Sequence, residues 1–208
     1  MPPPGVVYHP LETMDERAQM LGELSEVLRE VGADHALVGG LAVGYHGRLR
    51  ATIDVDLLVP LAKLDELAVA LAARGYVIAR TPMMVRVFSA GADPDRDEAI
   101  AHLLGREANL VLAAAAQAIE PALVLGHRVN IVQRGALVAL KFHAAISTQR
   151  ELADRYQDLA DIGRIIKKEL TAEDERLALA IAGRAYPGAD VELAQILDDL
   201  RHGRPVKI

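Results

Sequence analysis

Asp54 and Asp56 stand two residues apart inside an otherwise apolar run, I-D-V-D-L-L-V, downstream of a Gly39-Gly40 pair. A carboxylate left alone in apolar surroundings costs several kcal/mol or shifts its pKa, so such residues are normally paired or bound to a metal. In a strand, residues two apart point to the same face. Asp54 and Asp56 are therefore expected to aim together, with Ile53, Val55, Leu57 and Val59 filling the opposite face. Two carboxylates on one side, near glycine backbone N–H groups, make a seat for a divalent cation and the phosphates it carries.

Other groups take their meaning from this pair. Gly39-Gly40 falls between a short strand and a short helix, where its N–H groups can face an anion at the helix N-terminus; Gly44 serves close helix–strand packing. Lys141 sits in A-L-V-A-L-K-F-H-A-A-I, a helix apolar nearly all round. There it either snorkels to solvent or finds an anion. Asp154, Asp158 and Asp161 are spaced four and three apart, so they share a helical face flanked by Arg155 and Arg164. A solvated charged face explains that stripe equally well. The seven histidines show no zinc-type spacing, and only Tyr45 and His46 adjoin the glycine pair. Ser147 and Thr148 read as capping residues. The D-x-D-x-D spacing in Gly91–Glu98 lacks the Gly and Glu of a calcium loop and reads as a solvated loop.

Composition bounds the rest. The chain has 208 residues, 51% apolar and 25% charged, the profile of an ordinary globular protein with a substantial core. Aromatic residues are only 3%, with no Trp, which argues against stacking platforms for single-stranded nucleic acid. The absence of Cys excludes disulfides and thiolate chemistry. A net charge of −6 argues against a broad nucleic-acid footprint, while leaving room for a local basic groove. No apolar stretch reaches the ~20 residues of a membrane span, and M-P-P-P-G lacks the features of a secretory signal. A cytoplasmic location is the expectation.

The elements that must hold these residues can be read from periodicity. Thr13 and Glu16 form a capping-box pattern ahead of a helix that ends at Gly32. A strand at His35–Val38, a helix from Leu41 to His46 and a strand at Ile53–Val59 follow, then a helix through Leu71 that Gly75 closes. Strands are expected near Tyr76–Ala79, Met84–Phe88, Asn109–Leu112 and His127–Val132. Helices are expected over 136–146, 150–168, 171–186 and 190–201. The fold class is α+β, close to α/β, with residues 1–133 as a core around a small mixed sheet and 134–208 as a helical part packed on it.

The segment V-G-G-L-A-V-G-Y-H-G-R-L-R-A-T-I-D-V-D-L-L-V resembles the signature of the minimal nucleotidyltransferases of the DNA polymerase β superfamily, in particular the AbiEii-type nucleotidyltransferase toxins. L-V-A-L-K-F-H-A-A and R-Y-Q-D-L-A-D-I are similar to that family's later lysine and D-x-x-D helices, so the likeness spans about residues 36–166. It implies the nucleotidyltransferase fold and metal-dependent transfer from a nucleoside triphosphate to a protein, RNA or small-molecule acceptor. Asp54 and Asp56 would bind Mg²⁺. Gly39 and Gly40, with Arg50 and Thr52 in register, would hold the nucleotide, Lys141 would reach the triphosphate, and Asp158 and Asp161 would support the site. The family's third carboxylate is expected at the start of a later strand, where alignment of R-E-A-N-L-V-L-A places Asn109, with Glu107 two residues earlier as a substitute. An amide cannot take up a proton as a carboxylate does. The resemblance also implies a toxin–antitoxin setting with a cognate antitoxin as partner; a degenerate nucleotide- or partner-binding module is the alternative.

Overall fold

The computed structural model describes residues 14–48, 52, 54–167 and 170–206; Thr13, Arg50 and Ile53 lie outside them. Helix α1 (Met14–Val31) repeats apolar residues at helical spacing and buries Met20, Leu21, Leu24, Val27 and Leu28. Strand β1 (Ala36–Val38) then leads straight into α2 (Gly39–His46), which starts at Gly39 itself rather than at Leu41. Strand β2 (Val55–Val59) follows, stopped by Pro60, and α3 (Leu64–Ala73) packs against α1. Strands β3 (Val77–Thr81) and β4 (Met84–Phe88) make the expected hairpin.

The next segment departs from the sequence reading. Ala101–Gly105 is a strand, β5, and Ile119–Val124 is another, β6. Residues 109–112, expected to be a strand, instead open the short helix α4 (Leu110–Ala115). Asn109 is its N-cap: its Oδ1 accepts from the N–H groups of Val111 and Leu112 at 3.0 and 2.9 Å. Asn is among the best residues for that role, and the alanines that follow favour helix over strand. Strand β7 (His127–Val132) pairs with β6, and the chain ends in α5 (Arg134–Ala145), α6 (Leu152–Ile166), α7 (Ala172–Ala182) and α8 (Ala189–Arg201).

Among the described residues the strands form one mixed sheet, ordered β3-β4-β5-β2-β1-β7-β6. Its centre sets the geometry of the site. β2 runs antiparallel to β1, with Val38 opposite Asp56, and parallel to β5, with Asp56 opposite His102. β4 is antiparallel to β5 and places Arg86 in the same row. Alternation then divides the faces. Val55, Leu57, Val59, Val85, Val87, Ala101 and Leu103 are fully buried on one side, while Asp56, Leu58, Arg86, Met84, His102 and Leu104 line a cleft on the other. Helix α5 packs against α2, α4, α6 and α7 and is buried on most of its circumference, which explains its nearly unbroken apolar sequence.

Candidate active site

The cleft encloses about 880 Å³. The sheet row of Asp56, His102 and Arg86 forms its floor, and α5, the start of α6 and the 97–99 loop form its walls. A second cavity of about 460 Å³, bordered by His35, Tyr45 and Arg128, shares no residue with the cleft and contains no carboxylate.

Asp54 and Asp56 both line the cleft, as their i, i+2 spacing predicts. Between them stands a residue the sequence reading left aside. His102 Nδ1 lies 3.1 Å from Asp54 Oδ2 and 3.0 Å from Asp56 Oδ1. One ligand atom from each of the three residues falls within 4.8 Å of the others, a spacing that suits a metal ion. The parallel β2–β5 pairing creates this triad by setting His102 directly across from Asp56.

Each neighbour conditions the charges. Burial alone would raise the Asp54 carboxyl, but the hydrogen bond and charge of His102, with the Thr52 hydroxyl donating to Oδ1 at 3.0 Å, hold it below its ordinary value. For His102 burial alone would lower the imidazole; hydrogen bonds to Asp54 and Asp56 outweigh it and raise the group to about 9. A raised value in the folded state stabilises the fold fully below the ordinary 6.5, and that contribution is lost as pH rises from there to about 9. Chelator-treated protein should therefore lose thermal stability between pH 6.5 and 9, and His102→Asn should flatten that part of the profile. An unchanged slope in His102→Asn would show that the imidazole carries no charge in the fold.

Gly39 opens α2 with φ +65°, and a Cβ built there would fall 1.8 Å from Asp56 Oδ2. The first glycine is thus required twice, by its left-handed backbone and by the carboxylate against it. It brings the start of a helix, with its unpaired N–H groups, beside the metal-type triad.

Lys141 reaches the cleft wall and finds its anions on α6. Its Nζ is 2.8 Å from Asp158 Oδ1 and 2.8 Å from Asp161 Oδ2, with side-chain exposures of 10% for the lysine, 5% for Asp158 and 0% for Asp161. Arg164 and Gln157 donate to Asp161 Oδ1, and Arg150 lies 3.4 Å from Asp158 Oδ2. The lysine does not snorkel, and Asp158 and Asp161 are not a solvated face. Asp154, by contrast, is exposed at the cleft rim.

Glu107 and Asn109 do not form the strand-borne third group expected of them. Glu107 sits in a single 3₁₀ turn, where its carboxylate accepts from the Leu61 N–H at 2.7 Å and from Arg106 at 3.0 Å. Asn109 borders the cleft, but its Oδ1 is engaged in capping α4. His46 is not at the site either: its ring donates to the Val132 carbonyl at 2.7 Å and ties α2 to β7. Tyr45 borders the smaller cavity.

No family model and no curated protein matches the chain. Solved structures do. ANT(2″)-Ia in complex with adenylyl-2″-tobramycin aligns at 15% identity with a TM-score of 0.54, over 82% of this chain and 99% of that one. A nucleotidyltransferase-like antigenic protein from Paracoccidioides brasiliensis aligns at 15% identity with a TM-score of 0.50, over 88% and 93%. The chain has the nucleotidyltransferase fold. That fold, a mixed sheet with helices and a helical C-terminal part, is the one the sequence resemblance implied. No helix among the described residues is long and apolar enough to cross a membrane.

Proposed function

We propose that the protein transfers a nucleotidyl group from a nucleoside triphosphate to an acceptor, using a divalent cation held by Asp54, Asp56 and His102. The observation that carries this reading is the convergence of those three side chains beside the glycine-started N-terminus of α2, on the floor of a cleft in a nucleotidyltransferase fold. The donor set suits a divalent cation, which when bound neutralises phosphate charge as pyrophosphate leaves. The chain's own groups do the rest. Gly39, which lines the cleft, and the buried Gly40 behind it start the helix whose N–H groups would face phosphate oxygens, and Lys141 and Arg150 bring positive charge to the cleft wall. Asp158 and Asp161 hold Lys141 in place, and Thr52 orients Asp54. In the same proposal Arg50 contributes to nucleotide binding.

A protein side chain, an RNA end or a small molecule can serve as acceptor, and a toxin–antitoxin setting with a cognate antitoxin belongs to this reading. One observation favours a second reading. The third group of the triad is an imidazole rather than a carboxylate, as in a fold retained for binding nucleotide or a partner after transfer is lost.

Incubation of the full chain with Mn²⁺ or Mg²⁺ and α-labelled nucleoside triphosphates separates the two. Label should pass to the protein, to RNA or to a small hydroxyl or amine acceptor, with release of pyrophosphate. Nucleotide binding without transfer to any acceptor class would overturn the enzymatic reading in favour of the binding module.

A further inference from the structure

The sequence resemblance implies Mg²⁺, yet the ligand atoms are two carboxylates and a ring nitrogen. Mg²⁺ demands near-ideal octahedral coordination by oxygen and rarely takes nitrogen. Imidazole suits the later first-row transition ions best, and Mn²⁺, which starts that series, takes carboxylates and water as Mg²⁺ does. One ligand atom from each residue lies within 4.8 Å of the others, close enough to share one ion in place of the hydrogen bonds that His102 Nδ1 makes at 3.1 Å to Asp54 Oδ2 and 3.0 Å to Asp56 Oδ1.

Position supports the same conclusion. His102 lies on a central strand, paired on one side with β2 and on the other with β4, so its backbone is fixed directly opposite Asp56. An ion held by Asp54 and Asp56 would have the ring nitrogen within reach as a third ligand. The alternative carboxylate, Glu107, is committed to the Leu61 N–H and Arg106.

We infer that the Asp54–Asp56–His102 site selects a divalent first-row transition ion over Mg²⁺, with His102 as a direct ligand, and Mn²⁺, the weakest binder of that series, is its most demanding probe. The use of that ion rests on the nucleotidyl-transfer reading; its binding does not. Mn²⁺ and Mg²⁺ titrated into the chelator-stripped full chain by calorimetry should show Mn²⁺ binding more tightly. Pulsed electron paramagnetic resonance of the Mn²⁺ form should show coupling to a histidine nitrogen. His102→Asp, checked for folding by circular dichroism, should abolish that coupling and narrow the Mn²⁺-to-Mg²⁺ affinity ratio at least about tenfold. Mn²⁺ bound to the wild-type chain without nitrogen coupling would overturn the inference, whether or not His102→Asp folds. So would a ratio that a folded His102→Asp leaves unchanged. Nitrogen-coupled Mn²⁺ in a protein that transfers no nucleotide would uphold the inference and fail the functional reading. Transfer with a metal that shows no nitrogen coupling would do the reverse.

Discussion

Alanine at both Asp54 and Asp56 is expected to reduce nucleotidyl transfer by at least about 10³-fold while the fold persists. Both carboxylates face the cleft, and removing them takes away two of the three groups that can hold the ion. Metal ligation supplies several kcal/mol of transition-state stabilisation, and each 1.36 kcal/mol is worth about tenfold in rate. The fold should survive because the strand is held from its other face, where Val55, Leu57 and Val59 are fully buried and untouched by the change. The loss should also appear in binding, as disappearance of the divalent-metal heat in calorimetry. Thr52→Val provides a graded comparison. It removes only the hydroxyl that orients Asp54, through a 3.0 Å hydrogen bond, and should cost far less. A double alanine variant that still transfers within tenfold of wild type would remove the triad from the mechanism.

The parts of this site that were legible in the sequence are those set by local periodicity. Asp54 and Asp56 share a face because a strand alternates, and Lys141 stands out because it interrupts an apolar helix. Whether that lysine snorkels or meets an anion is legible only as alternatives, since joining α5 to α6 is a tertiary event. His102 was illegible for a stronger reason. Its role comes from the parallel pairing of β2 with β5, across 46 positions in the chain. A five-residue strand between a polar loop and a 3₁₀ turn offers little periodicity. The signal was present in A-I-A-H-L-L-G, one histidine alternating with buried Ala101 and Leu103. β6 was masked by Pro121, which a strand tolerates at the edge of a sheet, where β6 lies. Asn109 misled because L-V-L reads equally as strand or helix until the capping amide is counted.

The lysine gives the last expectation, and here the structure adds a cost to the fold. The resemblance implies that Lys141 reaches the triphosphate, so Lys141→Met is expected to weaken nucleotide binding. With Lys141 closing on Asp158 and Asp161 at 2.8 Å, and all three side chains at most 10% exposed, removing the ammonium leaves two carboxylates buried without it. Breaking a buried ion pair by deleting one partner typically costs ~3–5 kcal/mol, because the orphaned charge keeps its desolvation penalty. Arg150 and Arg164 compensate only from the partly exposed side. Lys141→Met should therefore show a large fall in the urea midpoint. Adding Asp158→Asn and Asp161→Asn should recover much of it, since neutral amides no longer need the cation. Burial alone would lower the lysine, but the two aspartates raise it above its ordinary 10.5. The stability it confers is then complete below pH 10.5 and lost as pH climbs beyond, so the wild type should lose more stability in that range than the triple variant. Equal urea midpoints for wild type and Lys141→Met would mean that the pair adds nothing to the fold, leaving the lysine's charge to the phosphates of the cleft alone.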